Sequence, residues 1–143
     1  MERGSVRCLL DTALWINGVT VPQVLPERIR HLVETPEQKG LCSVSLLEAA
    51  ILHRLGRLEL KSALSEFFAA ALSADVQLLE LTPAIAAKTN DLGRDFPGDP
   101  FDRTILATAA VLNLTLINAD PVLREAKLCS VEYYPFRPAR AHR

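Results

Sequence analysis

Short apolar runs at residues 6–10, 41–44, 76–81, 114–117 and 129–133 are bounded by charged or turn-forming residues, the pattern of strands buried on both faces. Between them, residues 26–34, 46–55, 63–72, 84–92, 100–112 and 121–126 carry helical spacing or helix-start signals. Strands alternating with helices predict an α/β fold with a mainly parallel sheet of about five strands, covered by helices on both faces. No repeat, linker or low-complexity tract divides the chain, so residues 1–136 read as one domain and the Pro- and Arg-rich residues 137–143 as a loose basic tail.

The polar residues at the ends of these runs carry the chemistry. Asp11 closes the first apolar strand, where a buried and unpaired carboxylate costs several kcal/mol, on the order of the polar-burial penalty. Ser45 to Glu48 fits a capping box, with Ser45 capping free amides and Glu48 in the first turn. Asp99 before Pro100 is an N-cap with proline at the first helical position, which puts Asp102 in the first turn, and Asp120 before Pro121 repeats the arrangement. Taken singly, Glu48, Asp99 and Asp120 are explained by capping and by the helix dipole, worth roughly 0.3–1 kcal/mol each. In a parallel sheet, however, all strand carboxyl ends share one edge, and ligands bind there. Asp11, Glu48 and Asp120 each follow a different predicted strand toward that edge; Asp102 reaches it only if its helix starts there.

Four converging carboxylates repel. Two unit charges about 4 Å apart cost ~4 kcal/mol at an effective dielectric near 20, so either pKa values rise or a cation enters. Oxygen-only ligands select a hard ion, Mg²⁺ or Mn²⁺, which can activate water and stabilise the leaving oxygen of a phosphodiester.

Composition narrows the classes. The chain is 49% hydrophobic with 6% aromatic residues, which suits aliphatic helices on a sheet, and none of its apolar runs approaches the ~20 residues of a membrane span. Without an apolar leader segment the expectation is a cytoplasmic protein. Cys8, Cys42 and Cys129 cannot all pair within one chain and sit in strand-like segments, so they read as reduced core thiols; with His31, His53 and His142 scattered, zinc is not expected. A net charge of −1 means that any RNA affinity is local rather than a property of the whole field.

At these residues the sequence resembles the PIN-domain ribonucleases, and most closely the VapC-type toxins of toxin–antitoxin pairs. The matching pieces are Leu9-Leu10-Asp11-Thr12, Ser43-Val44-Ser45-Leu46-Leu47-Glu48, Gly98-Asp99-Pro100-Phe101-Asp102-Arg103 continuing through Ile105-Leu106-Ala107-Thr108-Ala109, and Leu114-Thr115-Leu116-Ile117-Asn118-Ala119-Asp120. Their order and intervals suit the family across nearly the whole chain, over residues 6–133. The resemblance implies a PIN-like α/β/α sandwich and Mg²⁺- or Mn²⁺-dependent hydrolysis of RNA. It implies Asp11, Glu48, Asp102 and Asp120 as catalytic, metal-holding acids, with Asp99 as cap or outer-shell acid. Asn118 stands where many relatives have Thr or Ser, and Thr12 and Ser45 supply hydroxyls nearby. A homodimer and a small cognate antitoxin are the partners it implies. Arg103, Arg94 and Arg124, beside the acidic motifs, are candidate phosphate guides, and Trp15, Phe67 and Phe68 are core or interface residues.

Two other readings compete. One is a catalytically silent PIN-like module that binds RNA or protein, its acids serving only as caps; Asp102→Asn separates it from the enzyme. The other is an aspartyl phosphotransferase or phosphatase, which would form a covalent intermediate on Asp11. Such phosphatases commonly place a second acid two residues after the nucleophile, where this chain has Ala13, so this reading ranks last.

Overall fold

The computed structural model describes residues 6–35, 38–72, 75–96 and 98–118, and the backbone of residues 131–133. Asp120, Arg124, Cys129, His142, the helix expected at 121–126 and the tail 137–143 lie outside the described residues. In chain order the elements are β1 (Cys8–Leu10), α1 (Thr12–Thr20), a 3-10 turn (Pro22–Val24), α2 (Glu27–Glu34), β2 (Lys39–Cys42), α3 (Val44–Arg54), α4 (Leu64–Ala71), β3 (Val76–Leu79), α5 (Pro83–Asp91), α6 (Pro100–Leu112), β4 (Thr115–Asn118) and β5 (Val131–Tyr133).

The strands form one sheet in the order β3-β2-β1-β4-β5, and every neighbouring pair is parallel. Register puts Leu10 beside Leu41 and Ile117, and Leu9 beside Leu116. Because strand side chains alternate between faces, the first row packs with Leu14, Trp15, Ile29, Ala49 and Phe67 in one apolar cluster. The second row packs with Leu92, Ile105, Leu106 and Ala109 in another. These two clusters are the two halves of an α/β/α sandwich, as expected from the alternation of elements. Trp15 and Phe67 are core residues: their rings are 5.7 Å apart, and the Trp15 indole N–H donates to the Ala71 carbonyl at 3.2 Å. Among the described residues no helix is long and apolar enough to cross a membrane.

Two elements differ from the sequence expectation. Helix α1 was not anticipated, because its segment mixes a glycine, an asparagine and β-branched residues with low helical propensity; burial of Leu14, Trp15 and Ile16 overrides that preference. Strand β2 begins at Lys39, before the apolar run, and ends at Cys42, before Val44. Both opening residues are buried for specific reasons. A methyl added at Gly40 would lie 2.6 Å from Leu79 Cδ1 and 3.1 Å from Val6 Cγ1, so the missing side chain is what lets its neighbours close over the strand.

Lys39 is only 1% exposed. Its ammonium donates to Asp75 Oδ2 at 2.8 Å and to the Thr35 carbonyl, tying the end of α2 to the start of β3 beneath the sheet. Removing one partner of a fully buried pair costs roughly 3–5 kcal/mol. The Asp75 side chain is 30% exposed and keeps some water, so Lys39→Ala is expected to lower the unfolding free energy by about 2–3 kcal/mol. Urea denaturation measures this, and a loss under ~0.5 kcal/mol would show the pair to be dispensable.

Candidate active site

Strands β1, β2 and β3 wind toward one edge of the sheet while β4 and β5 extend the other way, so β1 and β4 flank the point where the winding reverses. Asp11 stands at the carboxyl end of β1 and is the N-cap of α1: its Oδ1 accepts from the Leu14 amide at 2.7 Å. Its Oδ2 accepts from the Asn118 side-chain amide at 2.8 Å, and Asn118 is the last residue of β4. The charge that the sequence left uncompensated is therefore held by a backbone N–H and a carboxamide. Asn118 bonds the acid itself, a contact whose form the sequence left open.

Helix α3 corrects the expected capping box. Its N-cap position is Ser43, whose side chain makes no capping bond, and the helix starts at Val44. Ser45 is thus inside the helix, fully buried, with its Oγ 2.8 Å from Thr12 Oγ1. A hydroxyl sealed from water gains more from a polar partner across the interface than from an amide it cannot reach. Glu48 consequently falls in the second turn rather than the first. Its Oε1 is buried and has no hydrogen-bond partner among the described residues. Burial pushes the Glu48 carboxyl above its ordinary 4.5; a hydrogen bond from Thr12 opposes the shift, and the charge of Asp99 adds to it.

Helix α6 brings the remaining described acids to this edge. It ends at Asn113 in a left-handed cap and β4 starts at Thr115, at the opposite end of the sheet, so the 13-residue helix begins at the carboxyl edge. Asp99 Oδ1 accepts from the amides of Phe101 at 2.8 Å and Asp102 at 3.1 Å. The predicted N-cap with proline behind it is as observed, and α6 packs against α3. Arg103 turns away from a phosphate-guiding pose: its guanidinium donates to the carbonyls of Thr89 at 2.8 Å and Leu92 at 2.7 Å, binding the end of α5 to the first turn of α6. Arg94 is exposed. Cys42, at the end of β2, is a buried thiol that desolvation pushes up to about 11, against a lowering by the Thr108 side chain, the state of a core thiol rather than of a nucleophile.

The structure thus gathers Asp11, Thr12, Ser45, Glu48, Asp99 and Asn118 at one rim, with Asp102 in the first turn that Asp99 caps. Among the described residues no three acidic, histidine or cysteine side chains form a metal-holding group by themselves, and Asp120 lies outside them. The donor chemistry nevertheless fits a hard cation: the groups are oxygens and amides, and the unpartnered Glu48 Oε1 has a lone pair for an ion to accept.

A family model described as the PIN domain matches residues 8–128. The chain belongs to the PIN-domain family. It is similar to Ribonuclease VapC22 of Mycobacterium tuberculosis, 31% identical over 116 residues that cover 81% of this chain and 88% of that protein. Its fold is similar to the crystal structure of VapBC2 from Rickettsia felis bound to a DNA fragment of its promoter. There the TM-score is 0.69 at 12% identity, covering 90% of this chain and 98% of that one. DNA-bound VapBC from Salmonella typhimurium gives 0.64 at 18% identity over the same shares, and FitAcB from Neisseria gonorrhoeae 0.61 at 22%, over 87% and 95%. The resemblance read from the motifs, and the α/β/α sandwich it implied, are borne out.

In this PIN domain the two roles of Asp99, cap and charge, can be separated. Asn caps as well as Asp, so Asp99→Asn should leave the helix start intact while the Glu48 pKa moves down toward its ordinary value. Carboxyl-carbon NMR titration follows that movement; an unmoved Glu48 would show that the two groups do not interact.

Proposed function

We propose that this protein is a VapC-type endoribonuclease that hydrolyses RNA phosphodiester bonds with Mg²⁺ or Mn²⁺, acting as the toxin of a toxin–antitoxin pair in the cytoplasm. The observation that carries the reading is Glu48. A half-buried carboxylate beside other acids, with one buried oxygen that has no partner among the described residues, is costly unless a cation completes it. The similarity to a protein named a ribonuclease supports RNA as the substrate. The toxin–antitoxin complexes among its structural neighbours support a small antitoxin as partner. A homodimer is part of the same proposal.

Asp11, Glu48, Asp102 and Asp120 are the residues that would hold the ion. When bound, it supplies a water of lowered pKa and neutralises charge on the scissile phosphate. Leu14 N–H and the Asn118 amide each hold one Asp11 oxygen, so the carboxylate is fixed in one orientation. Asp99 shapes the first turn of α6 and so sets the direction of Asp102. The positive ends of α1, α3 and α6 face the rim, which favours an anionic phosphate there.

A second reading has an observation of its own. Asp11 and Asp99 both cap helices, the job a catalytically silent module would need of them. Cleavage of RNA by the purified protein, in Mg²⁺ and in EDTA, decides between the two. Asp102→Asn should lower the rate by ~100-fold or more, since loss of an outer-shell partner alone costs roughly 10–100-fold. An unchanged rate with the fold intact sinks the enzyme reading.

Glu48 adds a pH test. Its folded pKa is raised, so the folded state binds this proton more tightly than the unfolded state does. Its contribution to stability is best below the ordinary 4.5, falls as pH rises toward the raised value, and stays unfavourable above it. In EDTA at pH 7, Glu48→Gln should therefore melt no lower than wild type, while at pH 4 its advantage shrinks. Its RNA cleavage should be lost. A Glu48→Gln protein that is markedly less stable at pH 7 would mean that the ionised carboxylate supports the fold.

A further inference from the structure

The guanidinium of Arg103 binds a neighbouring helix through three carbonyls. Nη2 donates to those of Thr89 at 2.8 Å and Leu92 at 2.7 Å, and Nη1 donates to that of Gly93 at 3.4 Å. They belong to the last turn of α5 and the two residues after it, groups that a helix end leaves without partners of its own. A cation suits that negative end, but Arg103 stands in the opening turn of α6, where a positive charge opposes the helix dipole. The residue acts against its own helix and for the joint between the two. That joint lies where α6 has little core to hold it. The buried stretch of α6 runs from Ile105 to Ala109, whereas Pro100 is exposed and Phe101, Asp102 and Thr104 are only partly covered. The Asp99 cap and the Thr104 hydroxyl bond within the turn itself, to the amides of Phe101 and Asp102 and to the Pro100 carbonyl. Such bonds fix the shape of the turn but not its position against the sheet. Arg103 reaches another element and fixes the position.

We infer that Arg103 is a positioning residue: its three-carbonyl clamp on α5 holds the opening turn of α6 and so sets where Asp102 presents its carboxylate to a divalent cation. The inference rests on the metal-dependent reading given above and names what aims one of its acids. Asp102 lies between the Asp99 cap, which accepts its amide at 3.1 Å, and Arg103, the next residue along. With both ends of that short stretch held, the side chain leaves from a fixed backbone. A carboxylate that the ion must first order binds it more weakly, because the ordering entropy is lost on binding. The sign of the effect separates this role from that of a bystander charge. Removing a cation beside an acidic site leaves the site more negative and tightens its hold on a metal ion; removing a clamp loosens it. A phosphate guide, the role the sequence suggested, would alter RNA binding without weakening the metal.

Mn²⁺ titration of the metal-stripped full-length protein, followed by electron paramagnetic resonance, reads the effect without RNA. Arg103→Met keeps the aliphatic stem and removes the guanidinium. It is expected to weaken Mn²⁺ binding on the order of tenfold, the lower end of what removing a group behind a metal ligand costs. Arg103→Lys keeps the charge but not the planar fork, and its affinity should fall between that of Arg103→Met and wild type. In the metal-free proteins, amide hydrogen exchange at residues 101–104 should quicken in Arg103→Met while exchange at residues 106–112 stays as in wild type. Circular dichroism and melting in EDTA show which variants are folded; should Arg103→Met fail to fold, Arg103→Lys carries the test, and wild-type Mn²⁺ affinity in it is the overturning result. Affinity equal to or tighter than wild type in a folded Arg103→Met protein overturns the inference, as does unchanged exchange at residues 101–104. If wild type itself binds no Mn²⁺ at millimolar concentration, the metal-dependent reading fails and the aiming of Asp102 with it, and the exchange rates then show whether the clamp alone stands.

Discussion

A carboxylate held half out of water, one of its oxygens without a partner among the described residues, is the constraint around which this site is arranged. Glu48 sits on a helix whose neighbouring residues, Ala49 and Leu46, belong to the core. Its second turn cannot lift it into solvent without withdrawing them. The protein answers with short-range polarity: the paired hydroxyls of Thr12 and Ser45 at the adjoining helix starts, and three helix starts whose positive ends converge on the same edge. These groups reduce the penalty without removing it, and the carboxyl pKa stays raised. Stability has been given up at one place in the fold, the usual sign of a site shaped for binding rather than for folding.

The sheet makes that arrangement possible. Because β1, β2 and β4 are parallel, residues distant in sequence arrive at one edge without any further device. Asp11 and Asn118 meet where the winding reverses, between β1 and β4. Helix α6 reaches the edge only because it must return to the opposite end to enter β4. The Arg103 contacts to the end of α5 fasten its first turn, and with it Asp99 and Asp102, in place. An arginine beside an acidic motif thus serves the scaffold.

Much of this was legible in the sequence because it is written in local signals. Helix α6 occupies residues 100–112, as Asp99-Pro100 announced, and the strand runs lie within two residues of their expected starts wherever apolar periodicity alone decides. The misreadings share one cause: side chains whose partners are remote. Ser45 and Glu48 have the spacing of a capping box, but Ser45 finds Thr12, 33 positions away. Lys39 falls outside the apolar run that marks its strand, and its burial depends on Asp75, 36 positions away. Helix α1 has weak propensity and is made by burial against α4 and the sheet. The bond between Asn118 and Asp11 joins residues 107 apart, and nothing in either segment forecasts it.

The acids differ in what the fold asks of them. Asp11 and Asp99 accept backbone amides at helix starts, and an uncharged asparagine could do the same work, so their presence is weak evidence for chemistry. Glu48 caps nothing, has no cationic partner among the described residues and raises the energy of the folded chain. The residue that folding explains least is therefore the one that argues most strongly for function.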